Sequence, residues 1–410
     1  MTLLLQEDAD TLPSVCWRRL VPAEQTVARL RPLLPLFGIT RVANVTGLDS
    51  IGIPVVMVNR PNSRALAVSQ GKGTTIAAAK ASALMESVES WHAERPTLLL
   101  LPGSYEDLRY SRNLVDPDLL PRTARSTYTP YTQTLWAEGQ GLMSGKGVWV
   151  PYEMVHTNYT LPLPTGHGCF QASSNGLASG NHRLEAVIHG LCEVIERDAT
   201  TLWRLLPEEA QEETRVDLET VADPACRDLL ARFARAGVEV GVWDCTSDLG
   251  VPTFLCRIIQ ADGGLGATIR PAVGAGTHLV REIALSRALT EAAQSRLTFI
   301  SGARDDLSRE DYQHFLSPEQ QAAWLRRIRH GAPVRDFNTV PTWSGRSLRG
   351  DLDSLLDRLA RVGTTDAVAV DLTRPELGIP VVRVIVPGLE GVDSSADYLL
   401  GARGRKVRGC

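Results

Sequence analysis

Nothing in this 410-residue sequence brings two cysteines within a CxxC spacing: the seven stand at positions 16, 169, 192, 226, 245, 256 and 410. A thiolate zinc site and a disulfide framework therefore lack support, and an odd, scattered set predicts reduced thiols in a cytoplasmic protein. Charge of one sign is lacking too. A formal net charge of −4 gives no electrostatic pull toward nucleic acid or an anionic membrane. The only basic cluster is the tail "GARGRKVRGC", which reads as a short solvated terminus. No stretch approaches the ~18 apolar residues of a membrane span. The N-terminus "MTLLLQEDADTLPS" has no basic segment before its apolar run, so no secretory signal is expected. "GKGT" at 71–74 resembles part of a Walker A loop, but position 66, where that loop needs glycine, is a leucine.

What is present is an ordinary core, with 43% hydrophobic and 22% charged residues. "TRVANVTGLDSIGIPVVMVNRP" (40–61) alternates β-branched runs with Gly and Pro, as strands and turns do. "TTIAAAKASALMESVESWHAE" (74–94) is Ala-rich and free of Gly and Pro, which predicts a helix. Further helices are expected over about 183–206 and 279–300, with an acidic helical region continuing to about 330. "EVGVWDCTS" and "VPTFLCRIIQ" read as paired strands, and "DAVAVDLT" and "IPVVRVIVPG" as closing strands. No low-complexity linker divides the chain after residue 40. The expectation is an α/β fold: an N-terminal segment (1–39), one large domain (40–395) of pseudo-repeated sheet-and-helix modules, and a tail (396–410).

The three helices share a pattern. "SALMESVES" (82–90), "HGLCEVIER" (189–197) and "RALTEAAQS" (287–295) each run polar residue, Ala or Gly, Leu, any residue, Glu, two residues, then Glu or Gln. A spacing of ~100 residues is too long for a solenoid and suggests duplicated modules. At ~100° per residue, Ser82, Glu86 and Glu89 form one stripe, and Arg287, Glu291 and Gln294 another. Glu185, His189, Glu193 and Glu196 form a longer one. Leu84, Leu191 and Leu289 are placed to pack each helix on a sheet.

Carboxylates crowded this way repel one another unless cations intervene. Hard divalent ions bind carboxylate oxygen, and Mg²⁺ completes its shell with water and substrate phosphates. Arg197 and Arg287 would supply bidentate phosphate contacts. Small-residue loops, "SQGKG" (69–73), "SNGLASGN" (174–181) and "VGAGTH" (273–278), precede the three helices and allow backbone to approach a ligand. The residues thus point to a Mg²⁺–nucleotide site between helix faces, with Lys72 as a further candidate for phosphate or substrate. A hydrolytic metal site on His182, Glu185 and His189 is the competing reading. Cys169 and Cys410 are candidate nucleophiles, and His167 a candidate proton shuttle. Paired-carboxylate glycoside hydrolysis leaves the threefold repeat unexplained.

"SNGLASGN…EAVIHGLCEVIERDA", with "GKG…SALMESVE" and "RALTEAAQSR", resembles the YcaO superfamily over about residues 40–390. The resemblance implies ATP and Mg²⁺ as cofactors, and phosphorylation of a peptide backbone amide oxygen in ribosomal peptide modification. It places ATP and Mg²⁺ residues at Ser82, Glu86, Glu89, Asn181, Glu185, Glu193, Glu196, Arg197, Arg287 and Glu291, with His189 where Gln is common and Ser90 where Arg is common. Glu86, Glu89, Glu193 and Glu196 are the implied magnesium ligands. Glu86, Glu193, Glu196 and Arg197 are the implied catalytic set. Azoline-forming members usually end in a PxPxP tail, whereas no proline follows Pro387 here. The stretch 40–73 looks most like members that work with TfuA-type partners, so backbone thioamide formation is expected ahead of azoline or macroamidine formation. A non-catalytic peptide-binding scaffold is the remaining alternative. The implied partners are a precursor peptide, a TfuA-like protein that delivers it (no precursor-binding domain is recognisable in the first 40 residues), and a second copy in a homodimer.

Overall fold

The structure is a computed structural model that describes residues 19–164, 166–260, 271–306, 318–332, 334–343, 345–391 and 397–409. Cys16, Cys410, residues 1–18 of the N-terminal segment and residues 307–317 of the expected acidic helical region lie outside the described residues. The fold is mixed α/β. Two compact units interleave along the chain: Val21–Ser87 with Leu206–Ser344, and Met1–Leu20 with Val88–Leu205 and Gly345–Cys410.

The unit built from Val21–Ser87 and Leu206–Ser344 opens with helix α1 (Ala23–Leu30) and contains two three-stranded antiparallel meanders. The first is β1 (Arg41–Asn44), β2 (Val55–Asn59) and β3 (Val68–Lys72), and helix α2 (Ile76–Glu94) follows it. After α5 (Glu208–Glu212), β9 (Val216–Asp217) and α6 (Pro224–Arg235) comes the second, β10 (Val238–Asp244), β11 (Thr253–Gln260) and β12 (Ala272–Thr277), followed by α7 (Arg281–Ser301). Helix α8 (Pro318–His330) and β13 (Arg335–Asp336), which pairs with β9, complete the unit.

The two meander-plus-helix modules use one packing device. A Cβ on Gly71 of β3 would run into the backbone of Ala79 and Ala83 on α2. On β12, Gly276 is closed off by Ala284 and Ala288, and Gly274 by Ala288 and Ala292. Glycine on the strand and alanine on the helix let each helix lie directly on its last strand. Leu84 and Leu289, the shared leucines of the repeat, are buried beneath. Buried Phe233, Val242, Phe254 and Leu285 lie in the core between α6, α7 and the second meander.

The other unit holds a sheet in the order β4 (Leu100–Gly103), β6 (Thr134–Gly141), β14 (Val368–Asp371), β15 (Val381–Ile385), β8 (Leu177–Ser179), with β7 (Gly147–Pro151) also on β6. Helix α3 (Tyr105–Leu108) starts at a capping box on Ser104 and Asp107. Helix α4 (Arg183–Arg204) lies on β8 and β15, with α9 (Leu348–Arg361) packed against it. Gly190 of α4 faces the side chain of Val384, where a larger residue would push helix from sheet. Strand β16 (Tyr398–Leu399) pairs with β5 (Arg122–Thr123), and the chain ends in α10 (Ala402–Arg408).

The expected helices are found at α2, α4 and α7, and the expected paired strands at β10 and β11. The tail differs from a solvated terminus. Helix α10 packs on α4, Gly404 is buried, and Arg403 reaches the buried Asp198. A sequence shows a run of cations but not the buried carboxylate that awaits one of them. Cys169, Cys192, Cys226, Cys245 and Cys256 are free and buried. No helix among the described residues is long and apolar enough to cross a membrane.

Candidate nucleotide and metal site

Strand β3 ends in the Gly-Lys-Gly that leads into α2, and Lys72 is the last residue of the strand. Its Nζ lies 2.6 Å from Glu291 Oε2 on α7. Glu291 Oε1 accepts the backbone N–H of Ala275 at 3.2 Å, so α7 is fastened to β12 by the same carboxylate. Glu86 holds the matching place on α2, with Oε1 3.4 Å from the N of Gln70 on β3. Gln294 Nε2 donates to the Gln70 carbonyl at 2.9 Å, which ties α7 to β3. Lys72, Glu291 and Gln294 are therefore brought together, while Ser82 and Glu86 stand exposed along α2. Arg287, one turn before Glu291, is half-buried, and its Nε is enclosed with no acceptor among the described residues.

In the other unit, the loop between β8 and α4 is organised by carboxylates. Glu89 accepts from Ser179 through the backbone N at 2.8 Å and through Oγ at 2.7 Å. Glu185 is buried and accepts the N–H groups of Asn181 at 3.0 Å and Leu20 at 2.6 Å, with Arg19 at 3.6 Å. His182 caps α4, its Nδ1 accepting Leu184 N–H at 3.1 Å. His182 and Glu185 are thus spent on backbone donors, and no group of three or more His, Cys, Asp or Glu side chains among the described residues could hold a metal unaided. This disfavours the hydrolytic reading.

Further along α4, His189 and Glu193 are half-buried and Glu196 is buried. Arg197 approaches Glu193 at 3.9 Å, at the outer limit of an ion pair. Beneath the helix lies Arg383 on β15, which sequence reasoning missed. It is almost fully buried, donates Nη2 to the Ser173 carbonyl at 2.5 Å, and has no acceptor for Nε or Nη1 among the described residues. Burial lowers its pKa to about 10, against the favourable fields of Tyr159 and Glu193. A cavity of about 20 Å³, roughly the room one water needs, adjoins it between Gln171, Ser173, Asn175 and Val194. The lone cation inside the apolar run "VVRVIV" was the signal for it.

Cys169 is no activated thiol. It is buried, desolvation raises its pKa, and its N–H joins those of Gly168 and Phe170 on the carboxylate of Glu153. The Nε2 atom of His167 lies 2.6 Å from Nε2 of His156, whose pKa burial brings down to about 4.

Each unit, taken by itself, carries groups suited to a magnesium–nucleotide. Glu193 and Glu196 offer hard oxygen donors, and Arg287 presents an enclosed, unsatisfied N–H of the kind an anion would accept.

Comparison with known proteins identifies the family. Residues 70–390 match the family model described as YcaO cyclodehydratase, ATP- and Mg²⁺-binding. A protein of Rhizobium leguminosarum bv. trifolii, described as an uncharacterized protein in the tfuA 3′ region, is 38% identical over 94% of this chain and 91% of its own length. An uncharacterized protein of Methanothermobacter thermautotrophicus is 37% identical over 95% of this chain and 98% of its own. Among solved structures, YcaO from Methanopyrus kandleri bound with AMPPCP and Mg²⁺ superposes with a TM-score of 0.73, at 24% identity over 93% of this chain and 95% of that one. A heterocyclase in complex with substrate and cofactor gives a TM-score of 0.75 at 21% identity over 95% of this chain. The chain spans only 55% of that heterocyclase, and at such identities both likenesses are of fold. The match across the helices that carry the repeated glutamates places this chain in the YcaO family, whose members bind ATP and Mg²⁺.

Proposed function

We propose that this protein activates a peptide backbone amide by ATP-dependent O-phosphorylation and, with a TfuA-type partner, converts it to a thioamide in the cytoplasm. The observation that favours a thioamide over a ring is the relative from the tfuA 3′ region, similar along nearly the whole chain. Residues 40–395 act as one catalytic domain in this reading. Glu86, Glu89, Glu193 and Glu196 hold magnesium. Arg197, Arg287 and Lys72 take the phosphates, and Ser82, Asn181, Glu185, His189 and Glu291 orient the nucleotide.

ATP supplies the phosphoryl group that makes the amide oxygen a competent leaving group. The protein's share is positioning and charge neutralisation, which dominate phosphoryl transfer. Arg287 donates to the anion from an enclosed position, where a hydrogen bond to charge counts for more than in water. Lys72 is held by Glu291 until a phosphate competes for it. Replacing the amide oxygen with external sulfide releases phosphate and leaves the chain length of the peptide unchanged.

The test is mass spectrometry of a precursor peptide encoded beside this protein, incubated with ATP, Mg²⁺, sulfide and the partner. Exchange of sulfur for oxygen is expected. Loss of water would replace the thioamide with an azoline or macroamidine. Glu193→Gln should lower ATP turnover by about a hundredfold or more, the size seen when a group that stabilises transition-state charge is lost, with an unchanged circular dichroism spectrum. Wild-type turnover in that variant would remove Glu193 from the site.

A further inference from the structure

Two buried carboxylates hold the end of the chain. Asp198, fully enclosed on α4, accepts Arg403 Nε at 2.9 Å and Nη2 at 3.0 Å, and also the backbone N–H of Glu390 at 2.9 Å. Glu390, equally enclosed, accepts Tyr398 Oη at 2.5 Å, Gly401 N at 2.9 Å and Gly404 N at 2.6 Å. Gly401 and Gly404 are needed there: a Cβ on either would press on the Glu390 carboxylate, within 2.8 Å and 3.2 Å of Oε1. Thr201 Oγ1, one turn after Asp198, donates to the Gly391 carbonyl at 2.8 Å. The chain end is therefore built around α4.

Asp198 follows Glu196 and Arg197 directly. At ~100° per residue it lies on the face of α4 turned away from Glu193 and Glu196. A fork of two parallel N–H···O bonds fixes direction as well as distance. Held from behind at Asp198 and Thr201, the second half of α4 has a defined rotation and height, and with it the acidic stripe on the opposite side.

We propose that α10 is a latch: through the Arg403–Asp198 fork it sets the position of Glu193 and Glu196, so that the C-terminal helix controls metal–nucleotide affinity without touching either ligand. Arg403 and Asp198 are then positioning residues, and the inference rests on the site proposed above.

The test compares wild type, Arg403→Ala, Arg403→Lys and, as a control on the same helix, Lys406→Ala. Binding of a non-hydrolysable ATP analogue is titrated with Mg²⁺ by calorimetry, and hydrogen exchange is followed across α4. Arg403→Ala should need about tenfold more Mg²⁺ for half-saturation, the lower end of what loss of an orienting partner costs. It should exchange faster at residues 193–201 while Arg183–Ile188 stays protected. Arg403→Lys, which keeps charge but not the fork, should show most of the defect, millimolar guanidinium should restore Arg403→Ala, and Lys406→Ala should match wild type. Wild-type Mg²⁺ dependence in both Arg403 variants overturns the latch. If Arg403→Ala does not fold, Arg403→Lys decides by the same reading. If wild type binds no nucleotide, the proposed function fails; unaltered exchange at residues 193–201 would then refute the latch separately.

Discussion

Arg383→Met should leave the protein as stable as before, or more so. The guanidinium is almost fully buried, and desolvation brings its pKa from 12.5 to about 10. At about 1.4 kcal/mol per tenfold change, the enclosed cation is disfavoured by about 3 kcal/mol relative to one in water. The substitution removes that cost and also one charge-assisted bond, to the Ser173 carbonyl at 2.5 Å, worth about 1.5–3 kcal/mol. Methionine fills most of the same volume. The balance is a stabilisation between zero and about 2 kcal/mol, in line with other buried charges replaced by apolar residues. Urea denaturation, with midpoints compared at equal slope, measures it. A destabilisation of more than about 3 kcal/mol, the range for breaking a buried pair, would refute the reasoning and make Arg383 a structural partner. If the midpoint holds, the charge serves the site facing Glu193, and ATP turnover should fall in the same variant.

Asp49→Asn should behave in the opposite way. Asp49 and Arg296 pair at 2.9 Å with side chains 4% and 3% exposed, and the variant removes the charge opposite the buried cation, leaving it neutral acceptors such as Gln260 Oε1 at 3.0 Å; a loss of about 3–5 kcal/mol is expected, and a midpoint within about 1 kcal/mol of wild type would show that the pair contributes little. Stability should also fall on mild acidification. The pKa of His156 drops from 6.5 to about 4 in the folded state, first through burial and then through His167 and Arg383, so the unfolded chain binds the extra proton sooner. The contribution is fully present above pH 6.5 and is lost as pH falls from there to about 4. His156→Gln should flatten that limb of the stability–pH curve, and an unchanged slope would assign the acid sensitivity to other groups.

The long helices were legible because α2, α4 and α7 depend on local periodicity and on freedom from Pro, with Gly190 of α4 the single glycine in the three, which a sequence displays directly. The acidic stripes followed from helical geometry alone. What the sequence hid were contacts across long separations. Asp198 reads as one more acid in "IERDA", yet its partner Arg403 is 205 residues away. Glu89 looked like a ligand and nothing else, but it also orders the β8–α4 loop through Ser179, 90 residues on. His182 and Glu185 gave a plausible metal spacing because a capping histidine and a loop-binding glutamate occupy the same first turn where ligands would be sought. The tail misled for the opposite reason: its cations are real, but one of them has a buried destination.

The repeat itself has two meanings that the shared pattern conceals. Gln70 N–H to Glu86 and Ala275 N–H to Glu291 each span sixteen residues, from the last strand of a meander to the third turn of the helix lying on it. In those two modules the repeated glutamate is also a fastener between helix and strand. The corresponding position for Glu193 is Leu177, and its N–H goes to the Ser174 carbonyl instead. Helix α4 sits on a different kind of sheet, with β8 and β15 beneath it and Gly190 providing the close approach. Glu193 is therefore not committed to the backbone bond that its two counterparts make. Glu291, by contrast, divides its two oxygens between the Ala275 N–H and Lys72. The three copies of the motif are therefore unequal: the glutamates of α2 and α7 fasten helix to strand, whereas that of α4 does not take the equivalent backbone N–H. With the roles proposed above, Glu193→Gln should act mainly on Mg²⁺ dependence, and Glu291→Gln, which removes the charge holding Lys72, mainly on nucleotide affinity at saturating Mg²⁺. Equal effects of both substitutions on both measurements would show that the copies share one role.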